Sequence, residues 1–66
     1  MTRPEAMTQQ IERYIVGGPD TAHLGKNATA NLVVHHFGLT KPEARACADY
    51  CEEVHGVKFL PRRIGA

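Results

Sequence analysis

The chain has 66 residues, 42% of them apolar and 23% charged, a composition that excludes a disordered tail, at a length that limits it to one small domain. Eight Lys and Arg against seven Asp and Glu give a formal charge of +1. That balance excludes the strong field behind nonspecific nucleic-acid binding, so DNA affinity would have to come from local clustering.

The first predicted helix spans residues 2–16. Met7, Ile11, Tyr14 and Ile15 recur as one helical face, with Gln9, Gln10, Glu12 and Arg13 opposite. Thr2 and Glu5 have the spacing of a capping box, Pro4 falls in the first turn, and Gly17 is the expected left-handed stop. Gly17-Gly18-Pro19-Asp20 then breaks the chain. The residues from Asp20 to Leu24, ended by Gly25, suit either a single helical turn or a loop.

The second helix is expected over residues 28–37, capped by Asn27 or Thr29, with Ala30, Val33, Val34 and Phe37 as its apolar stripe. Gly38 ends it in the left-handed conformation, and Leu39 is expected to fold back on Val34 and join the core. The third helix covers residues 41–55. Thr40-Lys41-Pro42-Glu43 is again a capping box with proline in the first turn, and Ala44, Cys47, Ala48, Cys51 and Val54 carry the apolar face to Gly56. The two helix heads, Thr2-Arg3-Pro4-Glu5-Ala6 and Thr40-Lys41-Pro42-Glu43-Ala44, share cap chemistry, but the residues after each alanine differ. The expected fold is therefore all-α, a small three-helix bundle over residues 1–56, with residues 57–66 as an extended C-terminal arm. Val57 and Phe59, alternating with Lys58, suit packing on the helices or pairing with a twin in a homodimer.

Cys47 and Cys51 lie four apart on the third helix, where Cβ atoms stand about 6 Å apart against the roughly 3.8 Å of a disulfide, so free thiols are expected. Free thiols, no N-terminal apolar run of signal-peptide type and no membrane-spanning segment together predict a cytoplasmic protein.

Val33-Val34-His35-His36-Phe37-Gly38-Leu39-Thr40, continuing to Cys47, resembles the first helix and turn of a helix-turn-helix DNA-binding unit. Gly38 falls in the turn, apolar Leu39 after it, and small Ala44 near the centre of the second helix. The resemblance covers about a third of the chain and extends to the opening of response-regulator DNA-binding domains, which continue through two more helices. It implies that Thr40, Lys41 and Arg45 face a major groove. The sequence departs from that pattern at Val34, where alanine is usual, at Pro42 in the base-reading turn, and at Asp49, Glu52 and Glu53, which bring negative charge along the same helix.

Cys47, Cys51 and His55 recur every fourth residue and fall within about 80° of one helix face, with His35 or His36 able to approach from the second helix. Structural zinc usually takes tighter Cys pairs, so buried thiols and histidines near helix C-termini are the expected roles, with no cofactor. No nucleophile, base and orienting group fall in a catalytic pattern, and Gly17-Gly18 lacks the strand and G-K-[ST] of a phosphate loop. Lys58, Arg62 and Arg63 form a small basic arm around Phe59. The function expected is that of a small non-enzymatic binding module, an inhibitor, adaptor or regulator of phage or mobile-element type. It would present Thr40, Lys41, Arg45 or the basic arm to a larger protein. A dimeric helix-turn-helix regulator and a zinc-supported domain are the alternatives.

Overall fold

A computed structural model describes residues 2–18 and 24–60. They form three helices, α1 (Gln9–Gly17), α2 (Lys26–Phe37) and α3 (Lys41–Val54), the all-α three-helix bundle that the apolar periodicity predicts. None is long and apolar enough to cross a membrane. The α2–α3 contact is the most extensive, and α1 lies mainly against α3.

α3 forms where its local signals place it. Thr40 accepts from the Glu43 amide at 3.3 Å, while its own amide donates to the Glu43 carboxylate at 2.9 Å, so two orphan donors are satisfied reciprocally. The bonds that the Thr40 amide and hydroxyl donate to it hold the Glu43 carboxyl below its usual pKa. Gly38 ends α2 with φ of 71° and donates to the Val34 carbonyl at 3.0 Å, the left-handed cap that a residue with a Cβ would adopt at a cost. Val34 and Leu39, on either side of that turn, both pack against the core. α3 stops one residue earlier than expected, with His55 as its C-cap and Gly56 left-handed after it.

The other helix boundaries are decided by tertiary contacts. α1 begins at Gln9, seven residues later than expected, with Thr8 rather than Thr2 as its cap; the Thr8 hydroxyl accepts from the Ile11 amide at 3.2 Å. Residues 2–8 form a non-helical strap with a turn at Glu5 and Ala6, and the strap buries Met7. Arg3 on this strap reaches the Glu12 carboxylate at 3.0 Å. A helix running from Thr2 would hold those two residues about 13 Å apart along its axis. Gly17 is helical, and Gly18, not left-handed at φ −74°, takes the end of α1. A Cβ at Gly18 would collide with the Tyr14 carbonyl, so glycine is required there for space, not for positive φ.

α2 begins at Lys26, earlier than expected, from Gly25 and without a side-chain cap. Asn27 and Thr29, the expected caps, both lie inside it, and Thr29 is buried. Of the turn read between Asp20 and Leu24, residues 20–23 lie outside the described residues.

The core joins Met7, Ile11 and Ile15 from the strap and α1, Ala30 and Val33 from α2, and Ala44, Cys47 and Cys51 from α3, with Ala48 buried beside them. Small side chains on α3 let the other helices approach closely. Tyr14 closes one edge, its ring meeting Phe37 edge-on at 5.4 Å. The arm packs on the helices through Val57 and Phe59, and the Leu60 amide donates to the Leu24 carbonyl at 3.1 Å.

Candidate functional site

Lys41, Arg45, Asp49 and Glu52 succeed one another along α3 at intervals of four, four and three residues. They fall within about 80° of the helix circumference, on the flank beside α2. Lys41 donates through Nζ to Asn31 Oδ1 at 2.5 Å, and Arg45 through Nη1 to Asn27 Oδ1 at 3.4 Å. At the far end of the same seam Lys26 Nζ lies 2.8 Å from Asp49 and 2.6 Å from Glu52. Hydrogen bonds to Asp49 and then to Glu52 raise the Lys26 pKa.

Asn27 and Asn31 are one turn apart on α2, as Arg45 and Lys41 are on α3, so two antiparallel helices match neutral acceptors with basic donors in register. An asparagine oxygen orients a cation without neutralising it. Among the described residues no carboxylate pairs with Lys41 or Arg45, whereas one lysine serves two carboxylates at the other end. The seam is therefore bipolar, with two positive charges near the Gly38 turn and one negative charge left over beyond them.

These ties also define how α2 and α3 meet. Lys26 opens α2, a full helix length from Gly38, or about 18 Å at 1.5 Å per residue, and still reaches Asp49 and Glu52. The helices lie alongside each other as a hairpin. At the 90–120° typical of a helix-turn-helix unit their far ends would stand too far apart for those contacts.

Of the residues expected to bind a partner, the structure brings Lys41 and Arg45 together on this seam. Thr40 stands at its edge but is engaged in the cap of α3. Lys58 is exposed on the arm. Arg62 and Arg63 lie outside the described residues.

The residues weighed as metal ligands do not meet. Cys47 and Cys51 are buried free thiols. Burial pushes the Cys47 thiol up and Cys51 up to about 11. His35 is exposed, its ring edge-on to His36 at 5.8 Å, and His55 is bonded through Nε2 to Glu12 Oε2 at 2.5 Å. No three His, Cys, Asp or Glu side chains converge as a metal site among the described residues.

Glu12 is the centre of a second polar cluster. It joins the strap through Arg3 and the C-cap of α3 through His55, and the His55 bond first, with Arg3 adding to it, lowers its pKa. Beside it runs an open groove of about 510 Å³ lined by Gln9, Glu12, Arg13, Val16, Gly17 and His55.

No protein-family model, curated protein or solved structure matches this chain.

Proposed function

We propose that the protein is a small non-enzymatic protein-binding module, an inhibitor, adaptor or regulator, that docks a larger protein along the α2–α3 seam. The observation that carries this reading is the state of Lys41 and Arg45, two cations one turn apart, each donating to a neutral asparagine and lacking any carboxylate among the described residues. Exposed charges of this kind steer encounter and fix register, and pre-orientation lowers the side-chain entropy lost on binding. The side-by-side hairpin favours this function over DNA reading, because a recognition helix has to project its flank into a groove. The continuation of the stripe into Asp49 and Glu52 repels a polyanion from the same surface.

Affinity capture on nuclease-treated extract of the source cells, comparing the wild-type chain with Lys41→Glu/Arg45→Glu, tests the proposal. A defined protein retained by the wild type and reduced at least tenfold by the double variant is the expected result. Equal retention by both chains would exclude the seam. Recovery of nucleic acid instead, from extract not treated with nuclease, would replace this function with a DNA-binding one.

A further inference from the structure

Resting on that reading of the seam, we infer that the segment it receives is an α-helix carrying two carboxylates one turn apart, acidic at the end over Lys41 and Arg45 and neutral or basic beyond. Three observations converge on this chemistry. Lys41 and Arg45 repeat at i, i+4 with Cβ atoms about 6 Å apart, and so do two acidic residues at i, i+4 on a facing helix. Asn31 and Asn27 accept hydrogen bonds from the two cations without neutralising them, so a carboxylate adds charge pairing and has no ion pair among the described residues to displace.

The third observation is the reversal of charge along the stripe. Past Arg45, Asp49 and Glu52 share Lys26 as their one cation among the described residues. A rod of uniform negative charge, such as a nucleic-acid backbone, is attracted at one end of the seam and repelled at the other. A protein helix can change sign within two turns, and so fits along the full length. A helix also fits better than an extended peptide. Strand addition needs unpaired main-chain donors and acceptors to register against, and the interiors of α2 and α3 satisfy their own backbone. The seam between two packed helices presents rows of side chains, and a third helix packs against such ridges.

The test uses the full chain labelled with ¹⁵N and two hydrocarbon-stapled helical peptides of identical composition and net charge. One carries its two glutamates at i, i+4 and the other at i, i+2, which places them on opposite sides of the helix. Amide and side-chain shifts are followed at 50 mM salt, with a 16-base-pair DNA duplex as the third titrant.

The expected result is saturable shifts at Asn27, Asn31, Lys41 and Arg45 with the i, i+4 peptide. Binding should be at least fivefold weaker for the i, i+2 peptide and at least fivefold weaker for the Lys41→Ala/Arg45→Ala chain, whose unchanged spectrum elsewhere verifies its fold. Equal affinity for both peptides at these residues would overturn the inferred helix spacing while leaving the seam as a binding face. Shifts centred elsewhere, or none at millimolar peptide, would overturn the inference, and shifts centred elsewhere would remove the seam reading with it. Tighter binding of the duplex at the same residues would identify the partner as nucleic acid.

Discussion

Residues 2–6 and 40–44 have almost the same sequence, threonine, a basic residue, proline, glutamate and alanine, yet they fold differently. The second opens a helix with both bonds of a capping box in place. The first forms a bent strap, and the next helix starts only after Thr8. The difference lies in what each segment is attached to. Thr40 comes after a glycine turn that anchors it to α2, with Leu39 packed on the core, so nothing competes with its cap. The 2–6 segment is succeeded by Met7, which reaches the core, and by a second threonine able to cap, while Arg3 finds Glu12 by folding back. Cap chemistry permits a helix start, and the packing of the next apolar residue chooses among the permitted ones.

The comparison can be broken most severely at Met7. If the strap is held by burial and not by its own turn, Met7→Ala should destabilise the protein by about 2–5 kcal/mol, read as a lowered midpoint in chemical denaturation monitored by circular dichroism. Thr40→Ala removes a cap made by local chemistry and should cost about 1 kcal/mol, by the same measurement. A loss at Thr40 exceeding that at Met7 would reverse the account of the two heads.

Acid titration sharpens the contrast, because each head depends on one carboxylate with a depressed pKa, Glu12 through His55 and Arg3 and Glu43 through Thr40. A carboxyl that binds its proton less readily when folded stabilises the protein above the unfolded value and loses that contribution as pH falls through the folded one. The stability advantage of the wild type over Glu12→Gln should therefore shrink steadily as pH falls below the ordinary carboxylate range. Glu43→Gln should shift the acid limb less, since glutamine still fits a capping box. Equilibrium denaturation from pH 7 to pH 2.5 measures both. The smallest effect belongs to Thr2→Ala. Thr2 caps no helix, and its substitution should stay within about 0.5 kcal/mol of wild type; a larger loss would show that the strap has a helical start after all.

These contrasts also explain what could be read in the residues beforehand. α3 was legible up to its last turn, because its cap, its glycine stop and its apolar stripe are neighbours in sequence; Val54, expected to extend that stripe, is exposed, since the last turn runs past the core. The starts of α1 and α2 were not. Arg3 bonded to Glu12 and Lys26 bonded to Asp49 and Glu52 are contacts between distant segments, and no local rule anticipates them. Lys41 and Arg45 were singled out through their resemblance to a DNA-reading helix. Asn27 and Asn31 were missed because an asparagine becomes an acceptor for a given cation only once two helices are known to run antiparallel in that register. The mirrored i, i+4 spacing of the two asparagines and the two basic residues on either side of the turn was the available signal, and reading it required the hairpin first.

The arm adds a consequence of a different kind. The amide of Leu60, a residue whose side chain is exposed, is tied to the Leu24 carbonyl just ahead of α2, so one rung latches the trailing segment onto the base of the hairpin. That rung gives a built-in clock for concerted opening. The Leu60 amide proton can exchange with solvent only when the latch lifts, and its protection reports whether the arm comes away by itself or only as the bundle unfolds.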